Sequence, residues 1–480
     1  MSTAIYNKKS FNYGQLFSLT LLCFAVVVGL KLFGTDVSET VFRLKCIYLL
    51  IVDIFYIVLW INKTHKVNSL FFYFLLYFIV TNGGVLFING VDWSSEIGFF
   101  ASNKYPLHIM DQALDYQLIC TVIFVSVGIM CSNSRFVTTV EEKKPFKVIA
   151  NGRIGKMTTV DWLFIIISLI YMSLCFQGIS MRSGMSYGDY YYDANKVSIS
   201  LLIKYSFYVT MYYSLYKHIS NDDGFRNIVL LVDIVLSLLL LLLGSRNEII
   251  PMVFGVAFAF GRAGYKLSKR QSALFIVYVV LFLMLMGVVP LLRQMSISSL
   301  NTTTASEAFT GFGVLLSFLG EMGGSLRTTT ETMMMIDSGT LSNEQTILYT
   351  LLFGICPSQS VLNVLSINMP QNWSLATWVT DLNGGGSGWG FSMLAESYYN
   401  YSGYGYLWFI VWAYLFVGIE NIVDKTYRKG NLLLSSAWLY VGAYAIFLAR
   451  ADTCLIALAL RYTMYITILF FVFRNVKTKQ

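Results

Sequence analysis

Residues 228–248 read IVLLVDIVLSLLLLLLGSRNE, and they decide the fold class. The stretch Ile228 to Leu243 carries a single charge, Asp233, and shows no alternation of apolar and polar residues. A membrane β-strand needs that alternation over about 10 residues, so this run spans as a helix. Its end is abrupt: Gly244-Ser245-Arg246-Asn247-Glu248 is polar, and Ile249 begins a new apolar run.

The rest of the chain repeats the pattern. Of 480 residues, 56% are hydrophobic, 16% aromatic and 12% charged, against about 25% charge in soluble proteins. A soluble domain is excluded. Apolar stretches fall at 13–33, 42–61, 69–90, 116–131, 159–179, 198–216, 227–243, 249–265, 272–291, 404–421, 432–449 and 454–473. At about 20 residues per spanning helix, this predicts an all-α polytopic membrane protein of about 12 spans. With only six prolines and no low-complexity tract, residues 1–480 read as a single integral membrane domain.

Charge sets the orientation. Lys8 and Lys9 precede the first apolar run, which has no small-residue cleavage site and reads as a retained helix. With a cytoplasmic amino terminus, the inner segments hold about two thirds of the 34 Lys and Arg, while the acids collect outside. The positive-inside rule is satisfied throughout, with both termini cytoplasmic. The net charge of +8 therefore reports topology and calls for no nucleic-acid partner. One long outer segment, residues 293–403, includes two short apolar stretches, Phe312 to Leu319 and Thr346 to Ile355. Both are too short to span and read as interfacial or re-entrant helices.

Arginine at membrane depth is costly unless it faces a partner or a wet cavity, so the outer arginines need an explanation. From Ile249 to Gly261 only 13 uncharged residues are available, about 20 Å of helix against a core of about 30 Å. The hinge before them must dip, which recesses Arg246. The alternatives are a bilayer that thins to meet Arg246, an Arg246–Glu248 pair or a snorkelling side chain. Arg461 lies eight residues into the last span, where Asp53 or Asp233 would be its structural partner. Lys204 is expected to snorkel to the interface. Arg182, Arg246, Arg293, Arg450 and Arg461 all stand at helix ends or outer-half positions. Guanidinium binds phosphate bidentately, so such a set suits a lipid-linked diphosphate.

A second constellation is Gly384 to Asn400, GGGSGWGFSMLAESYYN. Its glycines permit close backbone approach, and Trp389, Tyr398 and Tyr399, with Asn400, suit a glycan. Glu396 is its lone carboxylate and a candidate base for a sugar hydroxyl. The competing reading is an interfacial aromatic belt with Glu396 accepting structural hydrogen bonds. Tyr187 to Asp193, with four tyrosines and two aspartates, reads as belt residues, with glycan contact as the alternative. Seven cysteines without close pairing read as small apolar residues, and three scattered histidines make a His-based metal site improbable. No nucleotide-phosphate or dinucleotide motif appears, so no cofactor is expected.

The Gly-Ser-Arg hinge at 244–246 and the run Gly-Phe-Ser-x-x-Ala-Glu-x-Tyr-x-Asn at 390–400 resemble the bacterial O-antigen and capsular repeat-unit polymerases, the Wzy family. A pattern of some members, Arg followed sixteen residues later by Gly, is missing from Arg182, Arg246, Arg293 and Arg327. The resemblance implies a glycosyltransferase of the bacterial inner membrane that joins undecaprenyl-diphosphate-linked oligosaccharides at the outer face, with membrane lipid and the pathway's chain-length regulator and flippase as partners. Arg246, Arg293 and Glu396 would be catalytic. The alternatives are an O-antigen ligase, which shares the donor, and a lipid-linked oligosaccharide flippase or transporter. The scarcity of outer histidines, with His108 alone available, leans against the ligase.

Overall fold

In hydrocarbon each backbone N–H and C=O must find its partner within its own segment, so long uncharged runs close into helices and polar residues collect at their ends. The computed structural model of the chain describes residues 38–64, 66–91, 105–133, 157–185, 199–221, 223–245, 248–263, 322–342, 344–355, 374–382 and 391–477, with a few single positions between them. All its described elements are helices. They are α1 (Glu39–Thr64), α2 (Leu70–Val91), α3 (Leu107–Asn133), α4 (Thr159–Arg182), α5 (Leu201–Ser220), α6 (Phe225–Leu242), α7 (Ile249–Arg262), α8 (Ser325–Asp337), α9 (Ile347–Ile355), α10 (Leu375–Leu382), α11 (Met393–Tyr401), α12 (Trp408–Arg428), α13 (Leu432–Ala445) and α14 (Thr453–Lys477). Two 3₁₀ helices, Ser402–Leu407 and Ile446–Arg450, precede α12 and α14.

Among the described residues, seven helical segments are long and apolar enough to cross a membrane, and two shorter apolar helices accompany them. Helices occupy each expected span except 13–33 and 272–291, which lie outside the described residues. Two differ instructively from the sequence reading. Helix α3 begins at Leu107, well before the expected 116, because Asp111 and Asp115 depress the hydropathy there. Both acids face the buried Lys45 of α1, whose Nζ lies 2.7 Å from Asp111 and 2.5 Å from Asp115. Helix α5 is too polar to count as a lipid-facing span, yet Tyr205, Tyr208, Tyr212 and Tyr216 are all buried on it. It runs through the bundle interior, where neighbouring helices replace lipid.

Polar contacts sort the helix ends into two groups. At the first end, Arg262 of α7 pairs with Glu420 and Asp424 of α12, and Glu420 also accepts from the Leu70 N–H that opens α2. Asp161 of α4 is fully buried there and accepts from Lys217 (2.5 Å), Ser214 (2.8 Å) and the Thr158 N–H (2.7 Å). His218 bridges Asp161 to Asp223. At the second end, Arg182 of α4 donates to the last-turn carbonyl of Leu242 on α6, and the 3₁₀ helix ending at Arg450 turns into α14.

The short helices between α7 and α12 wedge into this bundle. Gly323, just before α8, lies against Gly84 of α2, seven residues from the end of that helix, so the crossing is about 10 Å below its tip. A Cβ on Gly84 would fall 2.4 Å from the Leu319 carbonyl oxygen. Helix α9 packs along the first turns of α14, where a Cβ on Gly354 would fall 2.1 Å from the Cβ of Ala457. Of the two short apolar stretches, residues 312–318 lie outside the described residues, and the other is α9. Because the obstacle at Gly84 is backbone, Gly84→Ala is expected to destabilise the protein by about 1–3 kcal/mol, read as a lowered thermal midpoint in detergent. An unchanged midpoint would refute the close crossing.

Candidate active site

The segment Phe391 to Asn400 forms a hub of helix caps at the second end. Ser392 caps its own helix, α11, its Oγ accepting from the Ala395 N–H at 3.1 Å. One turn on, the Oε2 of Glu396 accepts from the Thr453 N–H (2.9 Å) and hydroxyl (2.6 Å), so it caps α14 from outside. Another turn on, the Oδ1 of Asn400 accepts from the N–H groups of Thr346 and of Ile347 (3.0 Å), which start α9. Asp452 completes the set: its carboxylate accepts from the Ala376 N–H at 3.0 Å and starts α10. Negative groups are favoured at helix N-termini, where unsatisfied N–H groups and the helix dipole meet. Glu396 and Asn400, spaced i and i+4, thus anchor two different helices.

Arg450 stands three residues before Thr453. Its guanidinium reaches the Met322 sulfur at 3.5 Å, and the neighbouring Ala449 carbonyl accepts from Asn82 of α2 at 3.3 Å. Close by on α8, the Nε of Arg327 donates to the Tyr105 hydroxyl at 3.2 Å. Burial, then the hydrogen bond with Glu331, raises the Tyr105 phenol above its usual range. The amino-terminal half of α8 is polar yet buried: Ser325, Thr328, Thr329, Thr330, Glu331 and Thr332 are each at most 3% exposed.

The hinge between α6 and α7 runs inward. Leu242 is level with Arg182 at the tip of α4, and Gly244 turns the chain with φ at +77°. By Glu248 the chain meets Tyr171, eleven residues before Arg182, and Tyr208, seven residues past Leu201. At 1.5 Å per residue, Glu248 lies about 10 Å or more below the helix tips. Both its carboxylate oxygens are engaged, by Lys204 and by Tyr171. Lys204 therefore pairs with Glu248 instead of snorkelling. Tyr77 of α2 touches both neighbourhoods, its ring 6.4 Å from Phe254 on α7 and 6.2 Å from Phe447 beside Arg450.

A many-helix chain whose polar connections fold back into the bundle at one end is the setting in which the sequence comparison acquires meaning. The family model described as O-antigen polysaccharide polymerase Wzy matches residues 15–480. The chain belongs to the Wzy family. No curated protein and no solved structure matches it. As a Wzy polymerase with apolar spanning helices, it is an integral inner-membrane protein and a polymerising, glycosyltransferase-like enzyme.

Within this Wzy chain the expected site residues divide into groups. Glu396, Asn400, Arg450 and Arg461 come together around the first turns of α14, where Arg461 donates to the Gly354 carbonyl at 2.7 Å. The expected partners of Arg461, Asp53 and Asp233, are buried elsewhere, on α1 and α6. Arg182 sits apart, at the hinge. Tyr398 and Tyr399 are 6% and 1% exposed, so neither offers a ring face to a sugar in this conformation. Tyr399 packs on Trp378, and Tyr398 meets Tyr116 edge-on. Arg246, Arg293 and Trp389 lie outside the described residues. Sequence reasoning passed over Asp452, Tyr105, Asn82 and Glu331. The available signal was polar residues at the tips of apolar runs and a threonine-rich helix inside an otherwise apolar chain.

Proposed function

We propose that the protein joins oligosaccharide repeat units carried on undecaprenyl diphosphate at the outer face of the inner membrane, with both termini cytoplasmic. The observation that carries this reading is the inward fold of the second end. The close of the hinge at Glu248 and the chain beside Arg450 both lie about 10 Å below the helix tips, within a chain of the Wzy family. Irregular backbone at membrane depth is tolerated where it is buried in protein or lines a wet cavity, and a lipid diphosphate needs such a place.

In the reaction, the bond from the anomeric carbon of the growing chain to its diphosphate oxygen breaks, and a new bond forms to a hydroxyl oxygen of the incoming unit. The hydroxyl proton passes to the departing diphosphate, and undecaprenyl diphosphate leaves with the electron pair of the broken bond. The diphosphate is already a good leaving group, so the protein's task is alignment and stabilisation of the charge growing on the departing oxygen. Arg450, Arg246 and Arg293 are assigned that charge. Arg182 and Arg461 hold the ends of α6 and α9 in place. The glycines and Trp389 take the glycan, while Tyr398, Tyr399 and Asn400 anchor the base of that stretch. Glu396, expected from sequence to accept the hydroxyl proton, is 1% exposed and bonded to Thr453, so it is assigned a positioning role. The pathway's flippase delivers units and its chain-length regulator sets the product.

The test is reconstitution of purified protein with lipid-linked repeat units. A ladder of products is the expected result. Transfer only to lipid A core would make it a ligase, and movement across vesicles without new bonds a flippase; either overturns the proposal. Arg246→Ala is expected to abolish the ladder while single repeat units still reach the acceptor lipid in cells, and unchanged ladders would remove Arg246 from the mechanism.

A further inference from the structure

The amino-terminal end of α8 is a buried helix start without a cap. Its N-cap is Gly324, which has no side chain to offer. The Leu326 and Arg327 N–H groups donate to the Gly323 and Gly324 carbonyls at 3.3 and 3.2 Å. Gly323 lies flat against α2, where a Cβ would fall 2.7 Å from the Leu319 carbonyl oxygen and 2.8 Å from the Val85 nitrogen. No side chain fits at Gly323. Ser325 is 3% exposed, and its hydroxyl has no hydrogen-bond partner among the described residues. Side chains on a helix lean towards its N-terminus, so this hydroxyl leans to the uncapped end. The Arg450 guanidinium reaches the Met322 sulfur, three residues before Ser325 in the chain, at 3.5 Å.

A buried helix start demands a partner for its N–H groups, and the partial positive charge there favours an anion. Arg450 and Arg327 bring cations, Glu331 is engaged with Tyr105, and Glu396 is engaged with Thr453. We propose that the α8 N-terminus, with Ser325 and Arg450, is a binding site for a phosphate group of a polyprenyl diphosphate. This deepens the polymerase reading and rests on it for the identity of the lipid.

The test measures binding of undecaprenyl diphosphate to the purified full chain in detergent. Ser325→Ala is expected to weaken binding about 10-fold, the value of a hydrogen bond to a charged group. Ser325→Asp, which places a carboxylate in the site, is expected to abolish binding. Unliganded Ser325→Ala should melt at or above the wild-type midpoint, since it loses a buried hydroxyl without a partner. Equal affinity in the wild type and Ser325→Ala would overturn the site, whether or not Ser325→Asp folds. Phosphatidylglycerol displacing the ligand as well as undecaprenyl diphosphate does would overturn the diphosphate assignment, whereas competition by inorganic pyrophosphate supports it. The two readings separate in the reconstituted assay. A wild-type ladder with an unchanged donor KM in Ser325→Ala sinks the site alone. Binding that depends on Ser325, without any ladder from the wild type, sinks the polymerase reading alone.

Discussion

Arg450→Ala is expected to lower polymerisation in the reconstituted assay by about 10²–10³-fold, the usual consequence of removing a preorganised donor from a developing negative charge. The argument starts with position. Arg450 ends the 3₁₀ helix Ile446–Arg450, and the chain immediately beyond it is tied down by Asp452 on α10 and by Glu396 on Thr453. Its backbone is thus held on both sides, while its guanidinium extends to Met322 beside the start of α8. Arg450→Lys keeps the charge and loses the planar fork that meets two phosphate oxygens at once, so it should recover only a part of the rate. Arg461→Ala supplies the contrast. Arg461 meets the Gly354 carbonyl at the end of α9, and its loss should lower the thermal midpoint more than the turnover per folded molecule. Wild-type turnover in Arg450→Ala would take the charge-stabilising role away from this residue.

How much of this was legible in the sequence depends on what each residue faces. Spanning helices announce themselves as long runs of high hydropathy; Thr159–Arg182 and Leu432–Ala445 both begin at the residue expected. The start of α3 was hidden because Asp111 and Asp115 look like loop residues until Lys45 is placed opposite them. The recess of the hinge followed from arithmetic alone: α7 is 14 residues long and α4 is 24, a difference of about 15 Å. The partners of the charges were not legible. Arg461 looked destined for an intramembrane acid, but the end of a helix offers orphan carbonyls to any nearby cation, and only the packing of α9 against α14 decides that it does so here. Glu396 and Asn400 were legible as a motif and not as a task. Composition places carboxylate and amide near aromatics, and the same composition serves a glycan or a pair of helix starts.

That ambiguity is what substitutions at Glu396 resolve, and the expected outcomes differ sharply. If Glu396 works by accepting hydrogen bonds at the start of α14, glutamine keeps an oxygen for the Thr453 N–H and hydroxyl. Glu396→Gln should then polymerise within about 10-fold of wild type, a factor corresponding to roughly 1.4 kcal/mol. Glu396→Leu leaves two donors buried without partners, each costing about 1–3 kcal/mol, and frees the turn that holds Arg450. It should lose the ladder and lower the thermal midpoint together. A proton acceptor predicts the opposite pattern, because glutamine cannot take a proton and would be as inactive as leucine while the midpoint stays at the wild-type value. Measuring ladder formation and thermal midpoint on the same three preparations decides between them. An inactive, fully stable Glu396→Gln would return the carboxylate to the chemistry and make the cap on Thr453 a consequence of its placement.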